Sequence, residues 1–414
     1  MDDERSFAVE IVKTLKRNGH EALFAGGCVR DEILGLAPAD FDVATSATPE
    51  QVQKLFRKSL AVGAAFGVVE ILGPRRLGRA FHVQVATFRS DGAYLDGRRP
   101  SEVQFGSAKE DAKRRDFTIN GMFFDPIAQE VIDFVGGKED LRLRIVRAIG
   151  DPTERIREDK LRVLRAVRMA ARFGFAIEDA TWKGVVDNAS AIHQVSPERI
   201  ADELRRIFSH PTRLEGLRLL VQSGLYRETL PILAEPSPDI WTAISHLPHS
   251  ASFPLVLSLL ARENSQVESL GETLRLSRAE TGQTQWLLTN QAILPRADRL
   301  PNSLLFPILA HPDHELLLAR ESALTLARAE PLSGIGRCLE LLAHPPDGGF
   351  NPPPLLDGND LKALGIAPGP AFAKILRELR IAQLDHRIQT DQQAKDLARD
   401  LYQDLPKGKG SETA

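Results

Sequence analysis

Asp40 and Asp42 stand two residues apart in the segment ADFDV. In an extended chain that spacing sends both side chains from one face. Two adjacent carboxylates repel unless a cation lies between them, which makes the pair a candidate seat for a divalent metal. Two Mg2+ ions held there could activate an attacking hydroxyl and stabilise a departing pyrophosphate during in-line displacement. Upstream, LFAGGCVRDEILG reads as an apolar strand ending at Gly26 and Gly27, with a helix beyond. Backbone N–H groups there could approach a triphosphate, with Arg30 available to pair with it. A lone GG or a lone DxD equally describes an ordinary turn or a solvated strand edge.

Two further stretches carry concentrated polar chemistry. In RRDFTINGMFFDP, Arg114 and Arg115 precede a strand predicted over Phe117 to Phe124 that carries Asn120. Adjacent arginines beside an acid also describe a surface salt bridge. In REDKLRVLRAVRMAARFGF, Arg162, Arg165, Arg168 and Arg172 fall along one broad face of a predicted helix, which equally fits a solvated basic face. Glu158 and Asp159 open that segment. Asp159 and Arg162, three apart, offer an acceptor and a fork of donors suited to the edge of a base, or else a dipole-stabilising carboxylate in a local ion pair.

These groups need elements to hold them. Ala8 to Leu15 predicts a helix, and Ala22 to Phe24, Phe41 to Ala44, Val68 to Leu72 and Phe81 to Phe88 predict strands. Arg89 to Pro100, rich in Gly and Arg, reads as a mobile loop. After about residue 151 the strand signal disappears, and Glu158 to Phe173 (capped by Gly174), Ala201 to Phe208 and Leu214 to Ser223 predict helices. Proline-rich stretches at Pro231 to Pro238 and Pro345 to Pro354 suggest boundaries. The predicted class is α+β, an α/β head followed by an all-α remainder.

Composition narrows the function. A chain of 414 residues, 43% hydrophobic, is long enough for two to four globular domains. Cys28 and Cys338 are too few for a disulfide framework, and no histidine is followed by aspartate. No apolar run approaches a membrane span, and the acidic start MDDERSFAVE is unlike a secretory signal, so a cytoplasmic location is expected. The net charge of −3 does not mark a nucleic-acid binder, yet Lys138 to Arg172 holds eleven Lys/Arg against six Asp/Glu. Such a local excess suits a phosphate-tracking face.

Taken in order, GGCVRD, DFDVAT, VATFRSDGAYLDGRRP, EDAKRRDFTING, REDKLRVLRAVRMAARF and SPERIADEL resemble the bacterial-type class II CCA-adding enzymes and related poly(A) polymerases. GNDLKALGIAPGPAFAKIL and AQLDHRI resemble that family's tail. The resemblance implies a polymerase-β-like nucleotidyltransferase head over 1–148, a base-selecting helical neck over 149–210, a helical body over 211–345 and a tRNA-binding tail over 346–414. It implies Mg2+ as cofactor, CTP and ATP as substrates and the tRNA 3′ end as partner. By the same resemblance Asp40 and Asp42 hold the metal, and Gly26, Gly27 and Arg30 form the triphosphate loop. Arg114, Arg115, Asp116 and Asn120 shape the nucleotide site; Asp159 and Arg162 choose the base; Arg165 and Arg168 lie near the triphosphate or primer end. Glu198 and Arg199 brace the base-selecting helix, with Glu158 in support, and Arg89 to Arg99 forms a flexible element that switches from C to A addition. Gln84 stands where the family commonly carries an acid, so a third-carboxylate position is altered. A poly(A) polymerase, or an enzyme adding only CC or only A, shares these motifs. A non-catalytic RNA-binding protein on the same scaffold, and nucleotide transfer to a small molecule or protein, are the readings from other classes.

Overall fold

Helix α1 (Asp2–Arg17) buries Ala8, Ile11, Val12 and Leu15, which recur at helical spacing along one side. In this computed structural model, which describes residues 2–60, 67–76, 79–91 and 103–404, that face packs on a mixed sheet. The first nine strands are β1 (Ala22–Ala25), β2 (Val43–Thr45), β3 (Ser59–Leu60), β4 (Val68–Arg76), β5 (Arg79–Thr87), β6 (Arg89–Asp91), β7 (Val103–Phe105), β8 (Phe123–Asp125) and β9 (Glu130–Ile132). Seven of them form one sheet in the order β3-β4-β5-β2-β1-β8-β9, and β6 pairs with β7 separately. Among the described residues, only the β2–β5 contact in the large sheet is parallel, with Val43 opposite Val85. Leu23, Ala25, Ala44, Phe88 and Phe123 share a core cluster with Ala108 and Ala112. Helices α2 (Gly27–Ile33), α3 (Pro49–Leu55), α4 (Ala108–Lys113) and α5 (Gly137–Leu143) complete the head.

The chain continues with helices α6 (Pro152–Glu158), α7 (Arg162–Phe173), α8 (Asp179–Asp187), α9 (Pro197–Phe208) and α10 (Arg213–Gln222). Asp151 caps α6 by accepting the N–H groups of Thr153 and Glu154 at 2.8 and 3.0 Å. Helix α7 buries Val163, Leu164, Ala166, Val167 and Ala170 at 1% exposure or less, and each Val or Leu so buried contributes about 1.5–3 kcal/mol. Gly174 ends α7 at φ +64, a left-handed cap that glycine adopts without penalty.

Five expectations about elements are corrected. The strand predicted over Phe41 to Ala44 begins at Val43, so both aspartates lie on its extended approach. Phe117 to Phe124 is a 3-10 turn over Thr118–Asn120 followed by β8. There the Thr118 hydroxyl donates to Asp140 at 2.6 Å and the Asn120 amide to Asp116 at 3.1 Å, while the N–H groups of Asn120 and Gly121 turn back to the carbonyls of Phe117 and Thr118 instead of joining a ladder. The helix predicted from Glu158 is broken at Asp159, whose carboxylate accepts the Leu161 N–H at 3.1 Å and holds the chain extended between α6 and α7. Strand structure also persists past residue 151: Ala176–Ile177 pairs in parallel with Ile145–Val146. Of the loop predicted over Arg89 to Pro100, Arg89–Asp91 is strand and residues 92–100 lie outside the described residues.

The chain divides into two compact units, residues 1–235 with 269–276, and residues 236–268 with 277–414. The first holds the mixed sheet and helices α1 to α10. The second is helical; its helix Phe253–Leu260 is buried throughout, and the buried Arg320–Glu321 pair is anchored where Arg320 donates to the Ser258 carbonyl at 3.1 Å. Within it, Leu361, Ile375, Leu379 and Ala398 form a separate small core. Among the described residues, no helix is long and apolar enough to cross a membrane.

Candidate active site

The approach to β2 alternates as an extended chain must. Phe41 is buried, its ring 5.4 Å from that of Phe24, while Asp40 and Asp42 on either side face a cavity of about 690 Å3. The Ala25 N–H donates to the Asp42 carbonyl at 3.0 Å, extending the β1–β2 ladder and fixing the position of Asp42. Burial, reinforced by the charge of Asp40, pushes the Asp42 carboxyl up to about 6. Such a carboxylate favours a neighbouring cation, and with Asp40 it supplies a donor set suited to a divalent metal.

Gly26 turns the chain from β1 into α2 at φ +75, and a Cβ there would stand 2.9 Å from Nη1 of Arg115. Both the backbone and the close approach require glycine. Gly27 tolerates more, since its Cβ would meet only Arg30 at 3.6 Å.

Arg30 is 3% exposed and held from several sides. Its Nε and Nη2 donate to Asp31 Oδ1 at 2.8 and 2.6 Å, Nη1 donates to Asn120 Oδ1 at 2.5 Å, and the guanidinium lies 4.5 Å from the ring centroid of Phe173. Asp31 also accepts from Arg172 of α7 at 3.2 Å, so one buried carboxylate joins head and neck. A second does the same: Asp116 pairs with Arg165 at 2.5 Å and accepts the Phe117 N–H at 2.8 Å. Burial alone would raise Asp116, but Arg165, the Asn120 amide, Arg162 and the Phe117 N–H outweigh it and hold it well below the usual carboxylate range. Arg114 and Arg115 are not a solvated pair; both grip Asp111, 2% exposed at its side chain, at 2.5 and 2.9 Å.

The basic face of α7 is likewise neutralised residue by residue. Arg162 pairs with Glu158 at 2.9 Å and donates to the carbonyls of Arg155 and Arg114. Arg168 pairs with Glu203 of α9 at 2.5 Å. Asp159 bonds not to Arg162 but to Arg199, at 2.8 Å. An i, i+3 contact needs continuous helix, and the chain is extended at Asp159.

The cavity gathers Gly26, Gly27, Arg30, Asp40, Asp42, Arg114, Arg115, Asp116, Asn120, Asp159, Arg162, Arg165 and Arg168 from head and neck. Glu158 and Arg199 stand behind it as partners of lining residues. Glu198 is exposed and meets Arg275 at 3.1 Å instead. Gln84 is exposed on β5 and is not among the lining residues; carried one residue back, the Val43–Val85 register sets it beside Asp42. Sequence reasoning missed Asp31, Asp111, Glu203 and Arg206. Asp111 was legible, since Arg114 and Arg115 follow it at i+3 and i+4. The pairing of Asp31 with Arg172, 141 residues apart, has no local signal.

Residues 22–147 match the family model "Poly A polymerase head domain", and residues 174–235 match "Probable RNA and SrmB- binding site of polymerase A". The CCA-adding enzyme of Geobacillus kaustophilus is 43% identical over 220 residues, 53% of this chain and 53% of that enzyme, so this match spans about half of its length. The CCA-adding enzyme of Levilactobacillus brevis is 32% identical over 399 residues, 95% of this chain and 97% of that enzyme. Among solved structures, the CCA-adding enzyme of Bacillus stearothermophilus in complex with CTP superposes with a TM-score of 0.77 at 27% identity, covering 95% and 96% of the two chains. The Thermotoga maritima CCA-adding enzyme complexed with tRNA shares the fold, with a TM-score of 0.67 at 19% identity over 95% and 94%. The chain belongs to the family of CCA-adding enzymes, nucleotidyltransferases built on a poly(A) polymerase head domain.

Proposed function

We infer that this protein completes the 3′ end of tRNA by adding C, C and A from CTP and ATP, releasing pyrophosphate at each step. The observation that carries this reading is a single cavity in which two metal-suited carboxylates, a glycine turn and arginines from head and neck converge. Similarity to a CCA-adding enzyme along nearly the whole chain supports it.

Asp40 and Asp42 would hold Mg2+. The chemistry such an ion supplies when bound is electrostatic stabilisation of the attacking and leaving oxygens of an in-line displacement. The residues of the chain do the rest. The turn at Gly26 and Gly27 leaves backbone N–H groups at the start of α2 open to phosphate oxygens, and Arg30, fixed by Asp31 and Asn120, adds its positive charge nearby. The RNA 3′-oxygen bonds to the α-phosphorus, the bond to the β-phosphate oxygen breaks, and the hydroxyl proton leaves to solvent.

Base choice is assigned to Asp159 and Arg162 as acceptor and donor. Arg199 holds one carboxylate oxygen of Asp159 while the Leu161 N–H holds the other, and three acceptors fix Arg162. Preformed groups of this kind discriminate without reorganising when the base arrives. The head, neck, body and tail bounds given above, and work in the cytoplasm, belong to the same reading.

Labelled CTP and ATP, offered separately to tRNA ending before CCA, after C and after CC, test it. Addition of C, C, then A, followed by arrest, is expected. Growth with ATP alone makes the protein a poly(A) polymerase, and arrest after CC or addition of A alone makes it a partial enzyme.

A further inference from the structure

Beyond the main cavity, across a wall formed by Arg168, Arg172 and Arg206, lies a second space of about 340 Å3. It is floored by the end of α9 and the turn into α10, where His210 and Thr212 line it. Its chemistry differs from that of its neighbour. The main cavity has five aspartates in its lining, whereas this annex has three arginines, a histidine, a serine and a threonine, and no carboxylate among the described residues.

The charge in the wall is unbalanced. Arg168 is answered by Glu203 and Arg172 by Asp31, but Arg206, exposed in the last turn of α9, has neither ion pair nor hydrogen bond among the described residues. The positive charges of Arg165 and Arg206 both act unfavourably on Arg168. Three guanidinium groups facing two carboxylates leave a surplus positive charge, and an oxyanion in the annex relieves it. The imidazole is oriented toward the same end. His210 Nδ1 accepts the Thr212 N–H at 3.3 Å and lies 2.7 Å from the Thr212 hydroxyl, so the neutral ring carries its proton on Nε2, a donor with no partner among the described residues. Burial, with Arg172 and Arg213, lowers the His210 pKa and favours that neutral form.

We propose that the annex is a phosphodiester site for the RNA strand, holding a backbone phosphate near the reacting 3′ end through Arg206, with Arg168, Arg172 and His210. This rests on the reading of the main cavity as the nucleotide site: the incoming triphosphate is served beside Asp40 and Asp42, and the annex lies on the far side of the arginine wall. A phosphate oxyanion from a free nucleotide or pyrophosphate shares the same chemistry, so the test separates these sources.

The test compares the wild type with Arg206→Ala and Arg206→Lys. Affinity for tRNA ending before CCA is measured by fluorescence anisotropy without nucleotide or metal, and the KM for CTP is measured at saturating tRNA. Loss of one phosphate contact predicts roughly three- to tenfold weaker RNA binding in Arg206→Ala, and a salt slope smaller by about one. Because Arg206 also borders the main cavity, the KM for CTP changes by a smaller factor than the RNA affinity does, and Arg206→Lys recovers most of the affinity because a point charge still meets a phosphate. A raised KM for CTP with unchanged RNA affinity assigns the annex to the nucleotide and overturns the proposal, as does no change in either. Because RNA binding is read without catalysis, a wild type that extends with ATP alone defeats the CCA-adding reading and leaves this result standing on its own.

Discussion

Asp31 is the sharpest place to perturb the site, because one buried carboxylate serves two arginines on two different elements. In Asp31→Asn the side chain keeps its size and loses its charge. The guanidinium of Arg30, 4% exposed at its side chain, would then keep only the neutral amide of Asn120, the Phe173 ring and the charge of Asp116, and Arg172 would lose its pairing with α2. Leaving one member of a buried ion pair without its partner costs about 3–5 kcal/mol. The Arg172 arm adds little, since that side chain is 35% exposed and water answers most of its loss. The Arg30 arm dominates, so the penalty should vanish when the charge it strands is also removed. In Arg30→Met the same Asp31→Asn change should cost less than about 1 kcal/mol, giving a coupling energy of at least about 2 kcal/mol in a double-mutant cycle. Urea unfolding of the four proteins, followed by hydrogen exchange in α2 and α7, measures it. Additive effects in the two backgrounds would refute the claim that Asp31 acts by neutralising Arg30.

Three further perturbations follow from individual positions. Asp42 is held protonated up to about 6, whereas an unfolded carboxyl titrates near 4, so the folded apoprotein binds the extra proton between those values. Its contribution to stability is therefore full below about pH 4 and lost as pH rises through about 6. Mg2+ needs the ionised form, so the gain in melting temperature from added Mg2+ should be clear at pH 7.5 and nearly absent at pH 5; equal gains at both would contradict this. Gly26→Ala should destabilise the protein by about 2 kcal/mol, since an L-residue is strained at φ +75 and its Cβ would press on a guanidinium pinned by Asp111. Gly27→Ala, with ordinary contacts, should lower the melting temperature much less, and equal effects would count against the steric account. Gln84→Glu would return a carboxylate beside Asp42 and lower the Mg2+ concentration for half-maximal activity roughly tenfold; unchanged Mg2+ dependence and turnover would remove position 84 from the metal site.

The order of elements was legible because periodicity is local: the apolar face of α1, the apolar β1 and the cap at Gly174 are written in neighbouring residues. The candidate carboxylates were legible for the same reason, as their spacing alone sends Asp40 and Asp42 to one side. The misreadings arose where a side chain diverts the backbone. Asp159 breaks what periodicity reads as one helix, and Thr118 and Asn120 bend what reads as one strand. What no local pattern could supply is the assignment of partners. The arginines of α7 looked like a solvated or phosphate-binding row. Instead Asp31, Asp116 and Glu203, distant in sequence, each claim one of them, and that pairing joins neck to head and α7 to α9.

The central claim is that Asp40 and Asp42 drive the chemistry while arginines in the same cavity bind the nucleotide. Asp40→Asn/Asp42→Asn measures this most directly, with CTP binding followed by equilibrium dialysis and single-turnover incorporation onto tRNA ending before CCA followed by rapid quench. The account predicts that CTP still binds and that incorporation falls on the order of a thousandfold or more, the scale of losing metal stabilisation of the transition state. Incorporation within tenfold of the wild type would contradict it.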